Sequence, residues 1–171
     1  MAANPVYISV EDYLRSSFEP DAEYIDGLIE ERPVGENDHS AWQNALCVWF
    51  QQQAKAGQIR VRPELRVQVA PNSFLVPDVT LLDRNRPLEQ IVTHPPIAVV
   101  ETLSPEDTLK RIMKKCERYH QKGICTILVI DPDGPKYRYQ SGGLQPLEAR
   151  SFELPGCSAR FDLDEIEKLV D

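Results

Sequence analysis

Two carboxylates interrupt segments that otherwise have the pattern of buried strands. Asp78 lies within "SFLVPDVTLLD", and Glu101 lies within "IAVVETL". Burying an ionised carboxylate is costly, so such a residue persists where a cation, a basic side chain or hydrogen-bond donors compensate it. The alternative is that each carboxylate reaches water at a strand end or pairs with an arginine. Two such residues on successive strands, followed by a helix, favour a functional site.

The pair suits oxygen-ligand metal chemistry. Magnesium prefers a few carboxylates and keeps several waters, and a bound Mg²⁺ or Mn²⁺ orients and acidifies a water near a phosphodiester. A further group must then handle the attacking water or the developing charge, and a lysine is suited to that. In the helix predicted after Glu101, Lys115 lies on the border of the apolar stripe, whereas Lys114 lies nearly opposite its centre. We therefore expect Lys115 to turn back toward the sheet.

The strands that must position these residues are predicted from apolar patterns. "EYIDGLIEERPV" predicts a hairpin at its Asp-Gly pair. "RVRPELRVQV" alternates, which predicts one strand with a core face and a basic face carrying Arg60, Arg62 and Arg66. "CTILVIDP" is apolar and predicts a central strand. "KYRYQSGGLQPLEARSFELPG" predicts a C-terminal hairpin at its Ser-Gly-Gly.

Helices are predicted between and beside these strands. Ser9 is a candidate N-cap for a short first helix. A long helix is predicted over residues 37–57, with His39 in its first turn and Gln43 on the same side. "SPED" predicts another helix start with Ser104 as its N-cap. The "DLDEIEKLV" segment predicts a short closing helix. The buried stripe of the helix after "SPED" is expected to contain Leu109, Ile112, Met113, Cys116 and Tyr119.

Composition indicates an ordinary globular chain. The 171 residues are 42% apolar and 27% charged, which suits one domain over residues 1–171. No run reaches the roughly 18 apolar residues of a membrane helix, and no signal-peptide layout opens the sequence, so the expected location is the cytoplasm. The four cysteines have no CxxC spacing, which favours reduced thiols over disulfides or zinc.

The net charge of −8 argues against a protein that coats nucleic acid electrostatically. An acidic enzyme can still act on DNA through clustered basic residues, and an acidic excess also suits a cation site.

Several motifs, taken in order, carry a family resemblance. "AEYIDGLIEERPVGENDHS", "VPDVTLL", "VVETLSPED", "KCERYHQKGI" and "VIDP" resemble the Uma-type restriction endonuclease family of the PD-(D/E)XK nuclease superfamily. The resemblance covers residues 9–135 approximately and leaves the hairpin and helix of 136–171 outside. It implies an α/β fold with a restriction-endonuclease-like core, in which helices flank a central mixed β-sheet.

The resemblance also implies roles for individual residues. Asp78 and Glu101 would bind the metal ion with the main-chain carbonyl of Thr102. The superfamily pattern places lysine where this chain has Leu103, and in the Uma-type family the following helix supplies it, at the position of Lys115. Glu23 matches an early acidic position that supports the metal or its waters. His39 and the weaker candidate Gln43 match positions that could contact phosphate or a site water.

Three hypotheses follow. The first is an Mg²⁺- or Mn²⁺-dependent DNA endonuclease, with Arg60, Arg62 and Arg66 as a phosphate-contact strip and a homodimer that cuts both strands. The second is a catalytically inactive nuclease fold that serves as a binding or interaction module, which the acidic charge and Leu103 favour. A carboxylate-pair glycosidase is a remote third, because the sequence offers no aromatic platform for a sugar.

Overall fold

A computed structural model describes residues 6–18 and 21–170. Its four helices are α1 (Val10–Arg15), α2 (Asn37–Gln52), α3 (Leu109–Lys122) and α4 (Leu163–Glu167). Its strands are β1 (Ala22–Ile25), β2 (Leu28–Glu31), β3 (Ile59–Pro63), β4 (Val67–Ala70), β5 (Ser73–Leu75), β6 (Val79–Asp83), β7 (Ala98–Thr102), β8 (Thr126–Ile130), β9 (Lys136–Gln140), β10 (Gly143–Pro146), β11 (Ser151–Glu153) and β12 (Arg160–Asp162). None of the helices within these ranges is long and apolar enough to cross a membrane.

A six-stranded mixed sheet forms the centre, in the order β10-β9-β8-β7-β6-β3. Only β7 and β8 pair in parallel, and α3 is the crossover between them. A parallel pair requires such a crossover, and its strands are buried on both faces. Both strands are buried at every position, so the prediction of a central apolar strand is confirmed, as is the mixed sheet flanked by helices.

The two faces of the central sheet bury different helices. One face packs on α2 and α4, through side chains such as Val79, Val100 and Leu46. The other face packs on α3, through Val99 among others. Because side chains alternate along a strand, Glu101 shares the face of Val99 and points toward α3. A second sheet, in the order β2-β1-β5-β4, covers the same face beside α3 and carries α1.

The predicted continuous strand "RVRPELRVQV" is wrong. It divides into β3, which pairs with β6 in the central sheet, and β4, which pairs with β5 in the second sheet. The break follows Pro63, and Glu64 has a left-handed backbone with φ of 49°. Proline cannot donate to a strand ladder, so it is suited to the end of the edge strand β3. Arg60 and Arg62 therefore lie on a different strand and sheet from the segment that begins with Arg66.

The predicted single strand around Asp78 is wrong in a similar way. It divides into β5 of the second sheet and β6 of the central sheet, and Asp78 lies in the connection, directly before β6. The chain thus passes from the second sheet to the central sheet at residues 76–78. Asp78 lies in the connection between the two sheets and does not interrupt a strand.

The helix predicted from Ser104 begins later. Residues 104–107 form a turn in which the amide of Asp107 donates to the carbonyl of Ser104, and Thr108 caps α3 by accepting from the amide of Arg111. Asp107 binds the Ser104 amide with its own side chain, which closes the turn before the helix. Leu109 is consequently 61% exposed, so its predicted place in the buried stripe is also wrong.

Other predictions from pattern are confirmed. Ser9 caps α1, residues 26–27 join β1 to β2, and residues 141–142 join β9 to β10. The long helix α2 ends at Gln52, earlier than predicted, and turns lead on to β3. All four cysteines are free, although Cys125 is exposed. The short pair β11–β12 was not predicted, because its strands have three residues each and no clear alternation.

Candidate active site

Asp78 and Glu101 hold opposed positions where two antiparallel strands end. The register of β6 and β7 pairs Val79 with Val100, and continued by one residue it places Asp78 opposite Glu101. Each residue is 3% exposed. The two carboxylates that the sequence singled out therefore lie at one edge of the central sheet, and both are buried.

Asp78 is bound by donors from three directions. Its Oδ2 accepts from the amide of Thr102 at 2.7 Å and lies 3.2 Å from Nε2 of His39. Its Oδ1 accepts from Nη2 of Arg32 at 2.9 Å. Burial opposes ionisation of Asp78, but the hydrogen bond and charge of His39, with the charge of Lys115 and the Thr102 amide, lower its pKa. Asp78 is therefore a carboxylate near neutral pH.

His39 and Gln43 hold Asp78 from α2. The hydrogen bond with Asp78 raises the pKa of His39, against the opposing effect of its burial. Gln43 donates from Nε2 to the main-chain carbonyl of Asp78 at 3.0 Å. Because both side chains point at the same residue, one turn of α2 positions the Asp78 side chain and backbone together.

Lys115 and Tyr119 meet Glu101 from α3. Lys115 lies on the buried stripe of the helix with Ile112, Cys116 and Tyr119, and its Nζ is 2.8 Å from Oε1 of Glu101. The Tyr119 hydroxyl donates to the same Oε1 at 2.5 Å. No hydrogen bond within residues 6–18 and 21–170 engages the other oxygen, Oε2. The prediction that Lys115 turns toward the sheet is confirmed.

Glu23 enters the same cluster from β1 in the second sheet. It is fully buried, and its Oε1 lies 2.9 Å from Nζ of Lys115 and accepts from the amide of Val76 at 2.9 Å. Its Oε2 has no hydrogen-bond partner among the described residues, with Nη2 of Arg111 at 3.7 Å. Lys115 thus bridges two buried carboxylates, one from each sheet.

Burial sets the protonation of this cluster. Desolvation raises the pKa of Glu101 to about 7, with further contributions from the charges of Asp78 and Glu23, although Lys115 opposes the shift. Burial favours the neutral amine of Lys115, but the charges of Glu101, Glu23 and Asp78 outweigh it and raise its pKa. Burial also raises the pKa of Tyr119 well above its ordinary value, so its hydroxyl remains a donor.

Asp78, Glu101 and Lys115 line a cavity of about 20 Å³. A space of that size holds about one water or a bare cation, since a water needs at least about 10–15 Å³. The side chains that give the wall its chemistry are Arg32, His39, Asp78, Glu101, Arg111 and Lys115.

The donor set suits a hard cation that keeps water ligands. Asp78 and Glu101 contribute two carboxylates, and Oε2 of Glu101 has no hydrogen bond in the described structure. No group of three or more His, Cys, Asp or Glu side chains there could hold a metal ion by itself. Two carboxylates fit Mg²⁺ or Mn²⁺, which bind through one or two carboxylates and water.

The three predicted phosphate-contact arginines lie outside this cavity wall. Arg60 donates to the carbonyls of Asp83 and Arg86, and Arg62 donates to the carbonyl of Val61. The guanidinium of Arg66 lies over the ring of Tyr13, 4.5 Å from its centre. Each arginine makes contacts of its own, and they do not form one strip. That they contact DNA stays a prediction.

Sequence reasoning missed two cations of the site, Arg32 and Arg111. Arg32 lies after β2, forty-six positions from its partner Asp78. Arg111 lies in the first turn of α3, where Asp107 pairs with it at 3.0 Å. The spacing of Asp107 and Arg111 was a usable signal, because residues four apart meet on a helix surface. Nothing in the local pattern marks Arg32.

A family comparison matches most of the chain. The model of the Uma2 family, described as "Putative restriction endonuclease", matches residues 10–154. The chain belongs to this family. The Uma2 match takes in all the residues that line the cavity, from Arg32 to Lys115.

One solved structure shares the α/β fold, with its central mixed sheet, of this Uma2 member. The chain is similar to a crystal structure described as "a putative nuclease belonging to DUF820 from Anabaena variabilis ATCC 29413", with a TM-score of 0.77 and 22% identity over 96% of this chain and 99% of that chain. A DrdV–DNA complex matches with a TM-score of 0.44 and 18% identity, over 80% of this chain and 12% of that chain. No curated protein matches the Uma2 member described here.

Proposed function

We propose that this Uma2 protein is a divalent-metal-dependent endonuclease that hydrolyses phosphodiester bonds of DNA. The observation that carries the proposal is the convergence of two buried carboxylates, Asp78 and Glu101, and the buried ammonium of Lys115 on one small cavity. The family description supports the same reaction class. Well-packed apolar residues would stabilise the fold as well as these buried charges do, so stability alone does not explain the charges.

Asp78, Glu101 and the main-chain carbonyl of Thr102 would hold Mg²⁺ or Mn²⁺. When bound, the ion lowers the pKa of a water and stabilises charge on the phosphoryl oxygens. Contacts within the protein hold both carboxylates in place. Asp78 is held by the Thr102 amide and by Arg32, and Glu101 is held through one oxygen by Lys115 and Tyr119.

Lys115 would position the attacking water or stabilise the developing negative charge. Its raised pKa keeps it cationic near neutral pH, so it acts as a hydrogen-bond donor and a fixed charge rather than as a base. Glu23 holds the same ammonium with its Oε1, 2.9 Å from Nζ of Lys115. Glu23 would thus support the site through Lys115, while His39 and Gln43 support it through Asp78.

Cleavage of supercoiled plasmid in Mn²⁺ tests the proposal. Wild type should nick and linearise the plasmid, and Asp78→Asn, Glu101→Gln and Lys115→Met should each lose most of that activity, as should wild type in chelator. Asp131→Asn is a matched control, because this aspartate lines the neighbouring cleft but not the cavity. Linear product formed in one binding event would support the homodimer.

A second candidate, the inactive binding module, has one observation in its favour. Arg32 and Lys115 already pair with Asp78 and Glu101, so each of these carboxylates has a cationic partner without a metal ion. The two candidates separate by calorimetry. A nuclease should bind Mn²⁺ in a manner that Asp78→Asn abolishes, whereas a module with internally paired charges should bind no Mn²⁺ and leave plasmid intact.

A further inference from the structure

The cavity opens between an acidic side and a basic side. A cleft of about 480 Å³ adjoins it and shares His39, Ser104 and Asp107 with its wall. No lysine or arginine of the described chain lines this cleft. It is lined by five carboxylates, those of Glu36, Asp38, Asp107, Asp131 and Asp133. The carboxylates of that side repel a polyanion, which favours an approach of the phosphate backbone from the side of Arg111.

Arg32 and Arg111 supply the permanent positive charge of the other side. Arg32 is engaged by carboxylates, with Asp78 at 2.9 Å, Asp21 at 3.8 Å and Glu64 at 4.0 Å. Its side chain is only 13% exposed. Arg32 is therefore the internal counter-ion of Asp78, and it has little freedom to turn toward a ligand.

The guanidinium of Arg111 has hydrogen-bond donors that are not fully used. Its Nη1 binds Asp107 at 3.0 Å, but its Nη2 has only long contacts, with the Glu31 carbonyl at 3.4 Å and Glu23 at 3.7 Å. Its side chain is 24% exposed, almost twice the fraction of Arg32. A guanidinium presents a planar fork that matches two phosphate oxygens. Arg111 thus has the accessibility and the free donors that Arg32 lacks.

The surface beyond Arg111 continues this positive side. Lys110 and Lys114 are exposed on the same helix, and neither forms an ion pair within the described ranges. Lys114 lies three residues after Arg111, so the two side chains are neighbours on the helix surface. A phosphate strand that leaves the cavity over α3 would meet these charges next.

We infer that Arg111 contacts a backbone phosphate of the nucleic acid beside the bond that is cut. This inference rests on the proposed function. Three carboxylates of the cavity wall (Asp78, Glu101 and Asp107) face three permanent cations (Arg32, Arg111 and Lys115). The set has no excess positive charge of its own, so the contact strengthens once a divalent cation is bound. Arg111 then exchanges Asp107 for phosphate.

The salt dependence of DNA binding tests this contact. For duplex DNA, the plot of log affinity against log salt becomes shallower by about 0.9 for each phosphate that the protein no longer neutralises. A fluorescein-labelled phosphorothioate duplex, titrated in Mn²⁺ over a series of salt concentrations, gives this slope by anisotropy. Arg111→Gln should make the slope shallower by about that amount, equally for two unrelated sequences, while Arg111→Lys keeps the charge and the slope. Thermal unfolding establishes that each variant is folded.

Two further variants sharpen the result. Arg150→Gln is the matched control, because Arg150 is also ion-paired and is 51% exposed, yet it lies by α4 on the opposite face. It should keep the wild-type slope. Asp107→Asn removes the carboxylate that competes for Arg111 and should tighten binding, which provides a test that does not depend on Arg111→Gln folding.

The outcomes separate the inference from the proposed function. A wild-type slope in Arg111→Gln, an equally shallow slope in Arg150→Gln, or weaker binding by Asp107→Asn would overturn the contact while wild type still binds and cleaves DNA. Wild type that neither binds nor cleaves DNA would overturn the proposed function, and the contact with it.

Discussion

The side chains of Lys115 and Tyr119 lie one helical turn apart and donate to the same atom, Oε1 of Glu101. Both donors come from the buried stripe of α3, so the packing of that helix fixes the glutamate. The second oxygen of Glu101, which has no hydrogen bond in the described structure, is thereby left to the cavity. On the proposed function, this arrangement would orient Glu101 as a metal ligand through its neighbours, as metal sites commonly do.

Tyr119→Phe should weaken Mn²⁺ binding by about 10-fold, because loss of an orienting partner typically costs 10–100-fold in metal affinity. Calorimetry measures the affinity. Tyr13→Phe is the control, since Tyr13 is equally buried and its hydroxyl also donates, to the carbonyl of Ala22. Both variants should lose about 1 kcal/mol of unfolding free energy. Equal Mn²⁺ affinities in the two variants would show that Tyr119 serves stability alone.

The metal-free protein should lose stability as pH rises through neutrality. Glu101 has a folded pKa of about 7, above its ordinary 4.5, so the folded state binds the extra proton between those values and stability falls with rising pH. His39 has a raised pKa and adds a loss above its ordinary 6.5. Urea unfolding in chelator at pH 5 to 8 measures this. Glu101→Gln should flatten the lower part of the curve, and an unchanged curve would contradict the assignment.

Mn²⁺ affinity should rise with pH through about 7 and then level off, because binding to Glu101 requires its carboxylate form. Each ion bound below that pH should release up to one proton. Calorimetry in buffers of different ionisation enthalpy counts the protons. Asp78 has a lowered pKa and contributes no proton near neutral pH. Proton release that persists in Glu101→Gln would assign the titration to another group.

Arg32→Met should destabilise the metal-free protein by about 3 kcal/mol, because it leaves the buried Asp78 without its guanidinium partner. Saturating Mn²⁺ should restore part of that loss, since a cation that binds only the folded state stabilises it. Urea unfolding with chelator and with Mn²⁺ gives both values. Arg150→Met, which breaks an exposed pair, should lose much less stability than Arg32→Met and gain nothing extra from Mn²⁺. Equal behaviour of the two variants would argue against a cation beside Asp78.

Local sequence patterns predicted the site residues whose positions depend on a single helix or strand. Lys115 was found because helix periodicity places it beside the apolar stripe, and Glu101 because it breaks an apolar strand. Arg32 was missed because its contact with Asp78 depends on how the second sheet packs beside the first. The single strand predicted through Arg60 and Arg66 failed for the same reason. Alternation was continuous in the sequence, but Pro63 and the left-handed Glu64 send its halves to different sheets.

The start of α3 shows how two valid signals compete. Ser104 and Thr108 are both good N-caps, four residues apart. The carboxylate of Asp107 accepts from the Ser104 amide, which stabilises a turn at residues 104–107. It also binds the Arg111 guanidinium in the first turn of α3, so the helix begins after Thr108 and not after Ser104. The sequence shows that Asp107 lies four residues before Arg111. It does not show that the cap at Thr108 is preferred over the earlier cap at Ser104.

The antiparallel register of β6 and β7 has a consequence for how the chain can change length. Asp78 precedes β6 and Glu101 lies near the end of β7, so the connection of residues 84–97 leaves and returns at the other end of both strands. Strands of five residues put that connection roughly 16 Å from the carboxylates. Insertions beside Leu88, which is 67% exposed, would therefore enlarge the far rim of the molecule without displacing either acidic residue. The length of this connection is therefore independent of the spacing between Asp78 and Glu101.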